Sequence, residues 1–460
     1  MTTIPENTLV AHLGSMRQRP ISMPTRERLA QALLDWFTAG WSAKEASAAA
    51  TYRSAARDCH PGTGVAPVFG GSGMNPNGAA FANAAIAHIR EIDDAHRAAM
   101  LHPGVVSVTP VLALAANGVM TQRHVADAII AGYEVSLRLG EALGTRHAAG
   151  FHATATAGTV GAAAAAGVAL GLAPEPFHHA LGIGATQAAG LWQLVDDGAH
   201  EAKSLHPAFA VRNGMAAAYA ARAGLPGAQR FATGPRGLYR LLDGDGPLGA
   251  LDGGLEAPER LNTATIKAWP CCAQLFTPLD AVRELLDLHA PAPHEIESVD
   301  VEIFTHALKI AGVDWPARPA ETCFSLRYVV SRLLLAGELG IADMESPDLH
   351  AQDLLALARR ITVRASDLFQ QEFPRLRPCR VTLTLKNGRQ LSALRKLRRG
   401  DPEDPYTWEA LQTRMRAFAP VMDDATAGAI VAWCERFIDT SRDGDICLPA
   451  PMLFGQTQRL

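Results

Sequence analysis

The chain has 460 residues, 48 % of them hydrophobic and 19 % charged, with a formal charge of −4. Such a composition excludes a disordered polypeptide and offers no electrostatic footprint for nucleic acid or an anionic membrane. The length accommodates two domains at roughly 100–200 residues each, and seven cysteines without a CxxC pair point to reduced thiols in a cytoplasm rather than a disulfide framework or zinc knuckle.

The first stretch, MTTIPENTLVAHLGSM, lacks a basic segment followed by an apolar core, so no secretory leader is expected. Leu29, Leu33, Leu34 and Phe37 recur at helical spacing and predict helices within 25–57. Residues 61–77 are dense in glycine and proline and read as a loop. Residues 83–103, NAAIAHIREIDDAHRAAMLHP, follow. Their alanine-rich front reads as a buried helix. Glu91, Asp93 and Asp94 then fall near the helix end, where negative charge gains nothing from the helix dipole. With His88, His96 and His102 they make either an acid/base site or a solvated polar helix end. Adjacent carboxylates on a helix point in different directions. One is therefore expected to orient or activate a histidine and another to make a structural hydrogen bond.

Thr121 caps a predicted helix over 122–143 with Val125, Ile129, Ile130 and Val135 on its apolar face, and 147–150 read as a break. Residues 153–172 are long enough to cross a bilayer. Their alanines and glycines favour a close-packed buried helix instead. Pro174 and Pro176 start a helix reaching about Ala189. A polar stretch, 196–203, separates it from another small-residue helix. Beyond 265 the texture changes. A helix is predicted over 278–289, alternating strands over 299–303 and 361–363, a helix over 325–336 and a hairpin turning at Asn387-Gly388. Trp408, Leu411, Met415 and Phe418 return to helical spacing. The predicted fold is mainly α with an α+β second domain. The helical domain covers 1–264 and is rejoined by 400–460; the smaller domain covers 265–399.

Six stretches in order carry a family resemblance. They are Asn83, His88, Glu91, Asp93, Asp94 and His96 with His102-Pro103; Gly150-Phe151-His152; Lys203 and His206; Lys267 with Pro270-Cys271-Cys272; Phe324-Ser325 with Tyr328; and Gly400-Asp401-Pro402. Over about 25–420 the chain resembles the MmgE/PrpD family, the 2-methylcitrate dehydratases and their decarboxylase and epimerase relatives. Three positions depart from the pattern. Glu91 replaces an aspartate, Ala95 a threonine, and Phe276 stands where a histidine commonly follows the PCC run.

The resemblance implies a large helical domain with a smaller α+β lid, usually as a homodimer. It implies an enzyme acting on a small di- or tricarboxylate; cofactor-independent catalysis without a metal is expected from the missing cofactor and metal motifs. Dehydration of a 2-methylcitrate-like acid by α-proton abstraction is the first expectation. Decarboxylation or epimerisation of a related polycarboxylate is the alternative, and non-catalytic carboxylate binding a third. No dinucleotide fingerprint, Walker A loop or cluster-forming cysteine spacing argues for a cofactor.

The resemblance puts Lys203 and Lys267 in the active site, where each would clamp a carboxylate as a point charge; Lys203 alone also reads as a solvated lysine. His102 is the leading acid/base candidate because imidazole titrates near neutrality. His152 enters a helix whose N–H groups favour an anion. It binds a carboxylate, transfers a proton, or is a satisfied core histidine. His206 shares a face with Lys203 if that segment is helical, or gives structural support. Glu91 stands at the family's active-site carboxylate, with Asp93 beside it. His96 and Tyr328 complete the substrate-binding candidates, Tyr328 either donating a hydrogen bond or packing its ring. Cys271-Cys272 reads as packing, since a thiol without a placed base is inert.

Overall fold

The computed structural model describes residues 4–118, 120–256 and 259–455. The chain divides into two compact units. One comprises Met1–Ile89, Asp93–Thr265 and Trp408–Leu460; the other comprises Arg90–Ile92 and Ile266–Thr407.

The first unit is helical. Helices α1 (Pro5–Met16), α2 (Met23–Ala43) and α3 (Ser47–Cys59) precede a short antiparallel hairpin of β1 (Ala66–Val68) and β2 (Gly71–Met74). Then come α4 (Pro76–Ala87), α5 (Pro103–Ala115), α6 (Gln122–Gly150), α7 (Ala153–Ala169), α8 (Pro174–Ala185) and the Leu205–Arg222 helix. Tail helices Trp408–Phe418 and Asp424–Glu435 pack on α2. Every residue of α7 is buried, and it packs on α5, α6, α8 and the Leu205–Arg222 helix. Small side chains permit this: a Cβ on Gly161 would sit 2.5 Å from that of Ser136. Gly161→Ala is therefore expected to cost about 1–3 kcal/mol by overpacking, read as a lower thermal midpoint. No helix among the described residues is long and apolar enough to cross a membrane.

The second unit holds a four-stranded mixed sheet. Strand β3 (Ile296–Phe304) lies between β4 (Ile361–Ser366), to which it is parallel, and β5 (Cys379–Leu385), to which it is antiparallel; β6 (Gln390–Arg395) pairs antiparallel with β5. Strand alternation turns Val299, Val301 and Ile303 together with Val381 and Leu383 into one core, shared with the Phe276–His289 and Leu326–Ala336 helices. The β5–β6 turn uses Gly388 at φ 80°, which glycine adopts without the Cβ penalty. Asp401 is fully buried, 2.8 Å from the guanidinium of Arg398, and accepts from the Arg398 backbone N–H at 2.9 Å. A helical unit and an α+β unit agree with the predicted fold class.

Three local expectations give way. Part of 61–77 is the β1–β2 hairpin, and Asn75 caps α4 by accepting from Gly78 N–H at 3.0 Å. Residues 147–150 do not break α6; the chain kinks earlier, at Gly144 with φ 73°, and turns helical again. The helix read over 83–103 ends at Ala87, with His88 as its C-cap. Residues 89–102 are irregular, with Glu91 at φ 52° and Met100 at φ 51°. Asp93 and Asp94 engage imidazoles and backbone N–H groups, and short polar side chains that do so compete with helical backbone bonding.

Candidate active site

Four buried histidines of the first unit come from four helix ends. His88 caps the C-terminus of α4, His102 the N-terminus of α5 and His152 the N-terminus of α7; His206 is the second residue of its helix. Local chemistry sets each position. Asn83 in α4 accepts from Phe69 N–H at 3.0 Å and donates to Pro67 C=O at 2.9 Å, which ties α4 to the hairpin. Pro103 opens α5 with its φ already helical. His102 N–H donates to Thr154 Oγ1 at 3.1 Å, so the starts of α5 and α7 are joined. His152 N–H donates to Gly190 C=O at 2.8 Å, and Trp192 Nε1–H to Ala148 C=O at 2.9 Å. These bonds lay the Trp192 ring 4.7 Å from that of His152.

Asp93 bridges two of the imidazoles. Its Oδ2 lies 2.9 Å from His88 Nδ1 and 3.2 Å from His102 Nδ1. The His88 and His102 rings meet edge to face at 4.6 Å, and His88 stacks on His152 at 5.7 Å. His152 Nδ1 and His206 Nδ1 are 3.1 Å apart, so one donates to the other. Lys203 Nζ lies 5.9 Å from the centre of the Trp192 ring.

The electrostatics of this group are asymmetric. Burial pushes the Asp93 carboxyl up, but His88 and His102 outweigh it and hold the group well below the usual carboxylate range. Asp93 is therefore an anion, an acceptor only; His88 Nδ1 donates to it, and His102 Nδ1 faces it as an ion-pair contact. Burial, then the Lys203 ammonium and the neighbouring imidazoles, hold His152 well below its ordinary value. Burial, with His88 and Lys203, brings His206 to about 4. At neutral pH His152 and His206 are uncharged. The cluster thus combines an acceptor-oriented imidazole pair, a neutral imidazole pair and an ammonium.

Asp94 turns the other way. Its Oδ1 accepts from Gly104 N–H at 2.8 Å and its Oδ2 from the Tyr133 hydroxyl at 2.7 Å. Asp94 N–H donates to Asp35 Oδ2 at 2.8 Å, and Arg414 lies 2.9 Å from Asp35 Oδ1. Burial and then the Asp35 charge raise Asp94 to about 7. Between its ordinary value of 3.8 and about 7 the native state binds more protons than the unfolded chain. Stability then falls as pH rises through that window. Asp94→Asn cannot ionise. Its thermal midpoint, relative to the unmodified chain, is expected to improve from about pH 5 to about pH 8; a gap constant with pH would show that Asp94 holds no such proton.

The structure thus brings together five sequence candidates: Asp93, His102, His152, Lys203 and His206. His96 is engaged elsewhere, its Nε2 3.1 Å from Thr263 Oγ1 and its Nδ1 accepting from Ala99 N–H at 3.0 Å. Glu91, Lys267 and Tyr328 belong to the second unit. There Lys267 Nζ donates to the backbone carbonyl of Glu91. The Tyr328 hydroxyl donates to Asp343 C=O, and its ring packs 5.9 Å from that of Trp315. Burial, then the Asp343 charge, push that hydroxyl to about 12. Cys271 and Phe276 lie in the same core, and burial raises the Cys271 thiol well above its ordinary range.

Two members of the cluster were given no site role of their own from sequence: His88, noted only as part of the 83–103 stretch, and Trp192. His88 stands five residues before Asp93, a spacing that a continuous helix does not bring face to face. Its signal was its place in the family stretch. Trp192 carried no signal, since it reaches His152 only through the packing of 190–192 on the α6–α7 corner.

Known proteins match along most of the chain. The MmgE/PrpD N-terminal domain matches residues 8–250 and the MmgE/PrpD C-terminal domain residues 269–435. Cis-aconitate decarboxylase of Aspergillus terreus is 27 % identical over 397 residues, covering 80 % of this chain and 79 % of that protein. Cis-aconitate decarboxylase of Mus musculus is 26 % identical over 367 residues, covering 76 % and 73 %. The chain belongs to the MmgE/PrpD family and is a lyase.

Proposed function

We propose that the chain decarboxylates a small unsaturated tricarboxylate of the cis-aconitate class. The observation that carries this reading is the Asp93-bridged imidazole pair, His88 and His102, beside the neutral His152–His206 pair. The similarity to cis-aconitate decarboxylases supports this reaction above the dehydration expected first. In the proposed step a C–C bond to a carboxylate breaks and carbon dioxide leaves. The electron pair moves through the adjacent double bond. The far carbon takes a proton from an imidazolium, His102 being the proposed donor, and Asp93 offsets that imidazolium's charge. Lys203 is the proposed cation for a retained carboxylate, being buried and close enough to lower both His152 and His206. No redox change occurs, so the reaction calls for no redox cofactor. The homodimer implied by the resemblance is part of this reading, and light scattering checks it.

Incubation with cis-aconitate, followed by carbon dioxide release and proton NMR, tests the proposal. Release with a one-carbon-shorter alkene is expected; an unchanged substrate sinks it. Dehydration remains the second reading because one carboxylate holding two imidazoles also suits a base and acid pair. Alkene formation from a citrate-type hydroxy acid, without carbon dioxide, would favour it.

A further inference from the structure

We propose that His206 is a positioning residue: with a polycarboxylate bound, its Nδ1–H donates to His152 Nδ1, so that His152 offers an Nε2–H to a substrate carboxylate. This rests on the proposed function only in taking a polycarboxylate as the substrate. The two Nδ1 atoms lie 3.1 Å apart. Among the described residues neither ring has a second hydrogen bond. The Trp192 and His88 rings lie 4.7 and 5.7 Å from that of His152, 33° and 26° from parallel with it. The His152 backbone N–H is tied to Gly190 C=O at 2.8 Å. The ring is therefore held, and the freedom left to the pair is where its two protons sit. The ring of His102, the proposed proton donor, is centred 6.0 Å from that of His152, which sets His152 beside the proposed chemistry.

A contact between two Nδ1 atoms holds one proton. In a pair of neutral imidazoles the donating ring then has a bare Nε2, and the accepting ring carries its proton on Nε2. The bond made by one nitrogen thus decides what the other offers. If His152 donates, its Nε2 is a lone pair, which repels a carboxylate and suits proton abstraction. If His206 donates, the His152 Nε2 is an N–H, which a carboxylate accepts. Burial is the main cause that keeps both rings uncharged at neutral pH. His152 therefore meets an anion as a hydrogen-bond donor and not as a cation. Lys203 is the proposed cation for a retained carboxylate. The His152 N–H adds the direction that a rotating ammonium does not fix.

Tricarballylate is the probe, a saturated tricarboxylate without the double bond or the hydroxyl that either reaction needs. The full chain, its histidines labelled with nitrogen-15, is saturated with it at neutral pH. Long-range proton–nitrogen spectra then read the protonation of each ring nitrogen, and His152→Gln and His206→Asn assign the two rings by loss of signal. His152 is expected with its proton on Nε2 and His206 with its proton on Nδ1. The reverse pattern, or protons on both nitrogens of His152, overturns the proposal. Kinetics on cis-aconitate give a second reading. His206→Leu is expected to raise KM at least about tenfold, the loss of one hydrogen bond to a charged group, with a smaller change in kcat and an unchanged circular dichroism spectrum. His206→Asn, whose amide N–H reaches about the position of Nδ1, is expected to recover most of that loss. An unchanged KM in folded His206→Leu overturns the proposal. The spectra need no turnover, so failure of the decarboxylase reading leaves that test intact.

Discussion

Replacing Asp93 by asparagine is expected to lower kcat on a cis-aconitate-type substrate by about 10³-fold, within the range assigned to positioned acid–base groups. The thermal midpoint should change far less. Asparagine has nearly the same shape, but it brings an amide donor and no charge. One of the two imidazoles now within 3.2 Å of Oδ2 would face a donor in place of the carboxylate, and the preferred tautomer would change. A proton on either ring would also lose the buried negative charge that stabilises it. KM should move little, because Asp93 acts through the histidines rather than on substrate carboxylates. The pH–rate profile is the discriminating measurement, since a purely structural role would leave its shape intact. A variant retaining near-normal kcat with an unaltered profile would remove Asp93 from the proposed mechanism.

Asp401→Ala is expected to cost about 3–5 kcal/mol, the usual loss when one partner of a buried ion pair is removed. Arg398 is 2 % exposed and Asp401 is 0 % exposed, so water cannot replace the missing carboxylate around the guanidinium. At about 2–4 °C per kcal/mol for a unit of this size, the midpoint of the second unit should fall by roughly 10 °C. The double replacement Arg398→Met with Asp401→Leu should recover much of the loss, because no charge is then left buried. If the single variant matches the unmodified chain in a thermal scan, the pair contributes nothing and the assignment fails. Asp401 belongs to the GDP run that helps identify the family, yet its contacts with Arg398 are structural. A motif residue can mark a family by holding a turn.

Several features were legible in the residues alone. Helical spacing in the first unit, alternation in β3, β4 and β5, and the Asn-Gly turn all carry their own periodicity, which depends on neighbours along the chain. The burial of α7 was legible for a related reason: alanine and glycine gain little in a bilayer but permit close helix contact. Local competition was harder to read. The chain leaves the helix at His88 because Asp93 and Asp94 find better partners in imidazoles, a backbone N–H and a tyrosine hydroxyl than a helix would allow. Those partners lie up to 39 residues away, beyond any periodic window.

The segment 83–103 shows the division most clearly. By itself the sequence determined the family, the mainly helical and α+β classes, and the residue types suited to polycarboxylate chemistry, because these follow from local pattern and motif order. Only the tertiary structure decided which groups meet. It joined Asp93 to His88 and His102, drew His152, His206, Lys203 and Trp192 around them, and turned Asp94 into the helix framework. The reason is geometric: an imidazole or carboxylate acts over a few ångströms, and helix ends distant in sequence reach that range only through packing.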